Sequence, residues 1–346
     1  MRSSFRYLGA MAVISVVAAA CSGSASPSPS SAAPSQAAAS VAPAASVAPS
    51  QAAASVAPTS GKKLSIGIVT FSMTDVATNG TVKGAQDEAT AKGWTSSVVD
   101  AQGSVDLGNT AMEDYVQKKV DAIIVIVFPS DSLGAGLAAA KAANIPVYTM
   151  GGGFADGISA MGDDWMGKVV ADRIALDTGG KGDMLGLVYR GGLPCLKREA
   201  DYNTMVAANP GISSVTQQVT VPGQVESASA ATLAWIAGHP NGKAIWTCFD
   251  DPAMGAVAAL KQSNKKAGDV LVYGFNGNPD AVQAVKDGWL TATLWIDHTK
   301  MGADAVDAFA EIIAAGSSWQ QKVLPSNYIL VDKTNVDQFI KDHPVK

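Results

Sequence analysis

Histidine is nearly missing from this sequence: His239, His298 and His343 are the three in a chain of 346 residues. Cysteine is as scarce, at Cys21, Cys195 and Cys248. No serine or cysteine lies in a recognisable nucleophile motif, and no His, Cys and carboxylate spacing matches a metal site. Neither the phosphate-loop pattern G-x-x-x-x-G-K-[ST] nor a dinucleotide fingerprint occurs. These absences argue against an enzyme, and neither a cofactor nor a metal is expected. A basic stripe is lacking too. With 25 Lys and Arg against 30 Asp and Glu the net charge is -5, so phosphates would not be neutralised and nucleic acid is not an expected partner. Past the N-terminus, no apolar run is long enough to span a bilayer. Cys195 and Cys248 are compatible with a disulfide in an oxidising compartment or with two buried thiols, and both readings stay open.

What is present begins with a processing segment. Arg2 and Arg6 precede the apolar run Leu8 to Val17, and small residues lead to Cys21 in "VVAAAC". This stretch, residues 1–21, resembles a bacterial lipoprotein signal, whose mature Cys21 would carry lipid. Residues 22–61 contain no charge, and the unit "PSQAAASVAP" occurs at 34–43 and again at 49–58. The segment lacks the large apolar residues that a packed repeat needs, so it reads as a disordered linker. A flexible chain of that length spans on the order of 35 Å. Signal, lipidatable cysteine and tether together predict a folded part that is exported. It would be held to the outer face of the cytoplasmic membrane by a lipid anchor only.

From residue 62 onward, short apolar runs alternate with helical patterns. "KLSIGIVTF" is followed by a helix with Val82, Ala85 and Ala89 on one face; "TSSVVD", "DAIIVIVF" and "IPVYTM" complete a set of four units. "DAIIVIVF" is apolar on both faces, as a central parallel strand should be. The pattern restarts with "GDMLGLVY", "SSVTQQVT", "KAIWTCF" and "DVLVYGF", then "LTATLWI", a long helix from about 298, and "NYILV". Strand–helix alternation repeated twice predicts an α/β fold of two similar Rossmann-like domains with parallel sheets.

Ligands of such domains sit outside the C-terminal strand ends. In the loop entered at Phe71, Asp75 has two oxygens for a ligand's hydroxyls, or serves as the cap of the next helix. The glycines of "TMGGGFADG", Gly151 first, permit close backbone approach to a ligand, or simply a flexible loop. Arg190, at the end of "VYR", is favoured over Arg198 as a fork of donors. Asp250 is assigned to the ligand and Asp251 to capping, with Pro252 in the first helical turn. Among Trp165, Trp246 and Trp295, the last is the favoured stacking surface and core packing is the alternative. In "GFNGNPDAV", Asn276 stands where a strand hands over to a helix through Gly277 and Pro279.

From about 62 to 335 the chain resembles type 1 periplasmic binding proteins, the ribose/galactose-like solute receptors of ABC transporters. The resemblance rests on "KGAQDEATAKGW", "VDAIIVIVFPSDSLGAGLAAAKAANIPVY", "MGDDWMGKVVADRI", "FDDPAMGAVAALKQSNKKAGDVLVYGFNGNPDAVQAVKDGWLTATLW" and "NYILVDKTNVDQF" in that order. It implies two domains joined by a three-strand hinge: 62–163 plus 296–324, and 164–295 plus 325–346. It implies hinge closure on a small-molecule ligand, a sugar or polyol, followed by docking of a monomer on an ABC transporter permease. Asp75, Asp250 and Asn276 fall on positions that contact sugar hydroxyls in that family. Ala77, Thr78, Gly151, Gly152 and Ile296 stand where its ribose-type members carry aromatic, Asp-Arg and Gln groups. A sensor that presents occupancy to a signalling receptor is the alternative role.

Overall fold

The computed structural model describes residues 62–163 and 165–344. The signal segment, Cys21 and the Ser/Ala/Pro-rich linker lie outside the described residues. In chain order the elements are β1 (Ser65–Thr70), α1 (Val76–Ala91), β2 (Thr95–Asp100), α2 (Val105–Gln117), β3 (Ala122–Ile126), α3 (Gly134–Ala142), β4 (Val147–Met150) and β5 (Ile158–Gly162). They continue with α4 (Gly167–Thr178), β6 (Lys181–Val188), α5 (Leu193–Ala208), β7 (Gly211–Gln218), α6 (Gln224–Gly238), β8 (Ala244–Thr247), α7 (Asp250–Gln262), β9 (Leu271–Asn276) and α8 (Pro279–Lys286). The last are β10 (Ala292–Ile296), α9 (His298–Ala315), β11 (Lys322–Leu324), β12 (Tyr328–Asp332) and α10 (Val336–Asp342).

Among these residues the strands form two six-stranded sheets, ordered β11-β5-β4-β3-β1-β2 and β12-β10-β9-β8-β6-β7. Every pairing is parallel except β10 with β12, which runs antiparallel from Ala292↔Asp332 to Ile296↔Tyr328. This is the α/β architecture that the alternation predicts, with one sheet in each lobe. The chain leaves the first sheet after Gly162, returns after Ile296 and leaves again after Leu324.

Both sheets are covered on two faces, which is why their central strands are apolar throughout. Every residue of β3 is buried, with one helical layer packing Ile66, Ile124, Ala305 and Phe309 together and the other Met112, Tyr115, Ile123 and Leu137. The edge strand β7, "GISSVTQQ", is largely exposed and correspondingly polar. In the second lobe Trp246 is fully buried and stacks on Tyr202 with ring centroids 4.6 Å apart. It is core, and its indole does not reach a cleft.

Small residues set how α9 closes the first lobe. A Cβ on Gly84 would lie 1.9 Å from the Thr299 carbonyl oxygen, and one on Gly302 would lie 2.0 Å from that of Thr81. Helices α1 and α9 thus meet backbone to backbone, although more than 200 residues separate them. Two strands were not legible in the pattern. β5 reads Ile-Ser-Ala-Met-Gly and β11 only Lys-Val-Leu, too short and too poor in β-branched residues to register as strands. No described helix is long and apolar enough to cross a membrane.

Candidate functional site

The C-terminal ends of β1, β3, β4, β6 and β9 converge on a cavity of about 70 Å³ lined from both lobes. From the first lobe come Phe71, Ser72, Asp75, Thr78, Val127 and Met150. The second lobe contributes Tyr189, Cys195, Arg198, Val221, Phe249 and Asn276.

Two of these residues carry backbone strain. Val127, just past β3, has φ 72°, and Asn276, the last residue of β9, has φ 100°. The left-handed region is unusual for any side chain and most costly for a β-branched one, so each position costs on the order of 1–3 kcal/mol. Surrounding bonds hold them there. The Val127 amide donates to the Met150 carbonyl at 3.0 Å. After Asn276 the chain turns on Gly277, φ 69°, where a Cβ would lie 2.4 Å from that of Trp295; only glycine fits that approach.

Polar groups meet at one end of the cavity. Arg198 is 2% exposed. Its Nη1 donates to the Cys248 carbonyl at 2.8 Å and to Asn276 Oδ1 at 3.2 Å, its Nε to the Trp165 carbonyl at 3.2 Å. The guanidinium also lies over the Phe275 ring, 4.6 Å from its centroid. Asp75 approaches from the other lobe. It caps α1 by accepting from the Thr78 amide at 3.0 Å and takes the Thr78 hydroxyl as well. Burial raises its pKa, against the opposing pull of the Thr78 and Ala77 bonds and of the Arg198 charge. The capping reading of Asp75 therefore holds, and the same carboxylate also lines the cavity.

The remaining expectations divide. Phe71 and Asn276 line the cavity. Gly151 lies behind it, its carbonyl accepting from the Trp165 indole at 3.2 Å, while its neighbour Met150 forms the wall. Arg190 points away and pairs with Glu199, Nε to Oε2 at 3.1 Å. Trp295 packs on the far side against Phe339 and His343. Asp250 is fully buried beneath the β9–α8 turn: Oδ2 accepts from the Asn278 amide and Oδ1 from the Thr293 hydroxyl, each at 2.7 Å. Burial drives its pKa up to about 8. Helix α7 begins at Asp250 with Phe249 at its N-cap, two residues before the cap expected at Asp251, so Asp251 does not cap it and Phe249 takes the cavity position. Asp251 is the more open carboxylate of the two, held by Gln224 Nε2 and Asn278 Nδ2 at 2.9 Å each.

Arg198, and not the favoured Arg190, lines the cavity. The signal was available: Cys195, Arg198, Tyr202 and Met205 recur at helical spacing on the buried face of α5. Cys195 and Cys248 are both buried and not joined in a disulfide, with Cys195 Sγ 3.8 Å from the Cys248 carbonyl oxygen. No group of His, Cys, Asp and Glu able to hold a metal ion occurs among the described residues.

Residues 66–317 match the family described as periplasmic binding protein domain. The chain belongs to this family. The ribose import binding protein of Bacillus subtilis is 27% identical over 257 residues, covering 73% of this chain and 82% of the relative. A xylitol-binding protein of Mycolicibacterium smegmatis is 25% identical, over 80% of this chain and 79% of its own. Among solved structures, an ABC transporter solute binding protein from Agrobacterium vitis with bound allitol superposes with a TM-score of 0.74 at 24% identity. It covers 82% of this chain and 100% of that one. This family membership accounts for a cavity lined by two lobes that are joined by three strands of chain.

Proposed function

We propose that the protein captures a sugar or polyol between its two lobes outside the cytoplasmic membrane and delivers it to an ABC importer. The observation that carries this reading is the meeting of Asp75 from one lobe with Arg198 and Asn276 from the other around a single cavity. A carboxylate, a guanidinium and an amide are the groups that read vicinal hydroxyls and ring oxygens. The relatives named for ribose and xylitol support the substrate class. No catalytic role is assigned to any residue.

Phe71, Asp75, Arg198 and Asn276 are the residues proposed to touch the ligand. The lobes, residues 62–163 with 296–324 and 164–295 with 325–346, would close about the passages near Asp163, Ile296 and Pro325. The protein would act as a monomer, anchored through lipid on Cys21. Calorimetric titration of the purified protein with pentoses, hexoses and their polyols tests the reading. Saturable heat with one of them is expected; a folded protein that binds none defeats it. Incorporation of labelled palmitate, abolished by Cys21→Ser, tests the anchor.

A further inference from the structure

The cavity is less polar than a fully hydroxylated ligand requires. Its hydroxyl side chains are engaged with their own loop: Ser72 Oγ pairs with Thr74 Oγ1 at 2.8 Å, and the Thr78 hydroxyl is given to Asp75. The polar set lining the cavity is then essentially Asp75, Arg198 and Asn276, with Tyr189 beside them. The first three form one connected group, through the Arg198–Asn276 bond and the charge that Arg198 exerts on Asp75.

The rest of the wall is hydrocarbon apart from the Cys195 thiol, and parts of it meet across the lobes. Phe71 and Tyr189 meet edge to face across the lobes with centroids 6.4 Å apart. Val127 lies against Gly192, where a Cβ would come within 3.1 Å of its Cγ1. Two of these residues occupy positions whose local preferences oppose them. Val127 is β-branched at a positive φ. Phe249 stands at the N-cap of α7 and makes no side-chain capping bond, where Ser, Thr, Asp or Asn is preferred. Local rules broken at a cavity wall point to a demand from the ligand.

Resting on the proposed solute-binding role, we propose that the ligand is amphiphilic. It would be a sugar or polyol that offers hydroxyls to Asp75, Asn276 and Arg198 along one edge and carries hydrocarbon or thioether in place of hydroxyl along the other. A deoxy or alkylthio sugar has this character. A hydroxyl buried against Val127, Phe249 and Val221 would lose its water without gaining a partner, which disfavours the parent sugar.

The experiment is paired titration of the purified protein: ribose against 5-deoxyribose and 5-methylthioribose, and L-mannose against its 6-deoxy form, L-rhamnose. At least one modified sugar is expected to bind tenfold or more tighter than its parent. Phe249→Asn, which installs a favoured cap residue, is expected to cut that ratio at least tenfold; Val221→Thr serves the same purpose should Phe249→Asn fail to fold. Parents that bind as well as the modified sugars overturn this inference and leave the solute-binding reading standing. Absence of binding by all five, with a cooperative thermal transition intact, also overturns this inference, while the wider panel of pentoses, hexoses and polyols decides the solute-binding reading.

Discussion

Arg198 Nη1 donates to Asn276 Oδ1 at 3.2 Å, tying the first turns of α5 to the last residue of β9 beneath the cavity. The bond fixes the orientation of the Asn276 amide, because its oxygen is committed to the cation and its nitrogen is turned to the remaining side. A ligand therefore meets donors from Asn276 and an acceptor from Asp75. Arg198 acts partly through this bond and partly through its charge.

Substituting Asn276 by Ala is expected to weaken ligand binding about ten- to hundredfold, the effect of removing a bond to a charged or buried partner, about 1.5–3 kcal/mol. Asn276→Asp should behave differently. It would put a carboxylate on Arg198, strengthening that pair, but would remove the donor offered to the ligand. Titration calorimetry on the two variants separates these effects: comparable losses in both would indicate that the donor matters more than the Arg198 contact.

Asp250 is expected to govern stability and not affinity. The unfolded chain ionises it near 3.8, whereas burial holds the folded carboxyl to about 8. Between those values the native state keeps a proton that the unfolded state has released, so stability falls as pH rises through this window. Its contribution is complete below about pH 4 and gone above about pH 8. Asp250→Asn preserves the acceptor for the Asn278 amide and a group to meet Thr293, and should flatten this alkaline decline. Asp250→Ala leaves the amide and hydroxyl unpaired and should cost about 1–3 kcal/mol for each. Denaturant midpoints at pH 5 and pH 8 check both; an unchanged slope in Asp250→Asn would refute the argument.

Gly277→Ala tests the turn on which the site is built. With φ at 69° and Trp295 Cβ 2.4 Å from the added methyl, the variant must shift β10 or unwind the turn. A loss of about 2–4 kcal/mol is expected, visible as a lowered thermal midpoint, with affinity falling alongside because Asn276 is the adjacent residue.

Much of this was readable beforehand, and the misses have physical causes. "DAIIVIVF" had to be a two-sided buried strand, and the paired alternation of strands and helices had to yield two parallel sheets. Asn276 was legible because a strand ending in Asn-Gly before a Pro-initiated helix leaves few other geometries. Asp250 misled because adjacent carboxylates at a helix start look interchangeable in sequence. The earlier helix start turned Asp250 under the β9–α8 turn and left Phe249 at the cavity. Arg190 misled in a similar way, since Glu199, nine residues on, lies within reach only after α5 has turned back. Trp295 was legible as a strand-end aromatic, but its side of the sheet depends on α10, packed from the far C-terminus. β11 escaped because a three-residue strand at the sheet's edge is held by β5, a neighbour distant in the chain, and β5 because Ile-Ser-Ala-Met-Gly is short and poor in β-branched residues.

Trp165 provides the test of lobe closure. Its indole Nε1 donates to the Gly151 carbonyl of the first lobe at 3.2 Å, while its own carbonyl accepts from Arg198 Nε of the second. One residue at the first passage between the sheets therefore senses both sides of the cavity. Trp165→Phe keeps most of the ring but deletes the bond to Gly151, worth about 0.5–1.5 kcal/mol. The unliganded protein should then spend more of its time open, and the lost closure should appear as a two- to tenfold rise in Kd, carried mainly by faster release. Stopped-flow dissociation of bound sugar measures this directly. An unchanged release rate, with the variant as stable as the parent, would show that closure does not depend on the Trp165 indole.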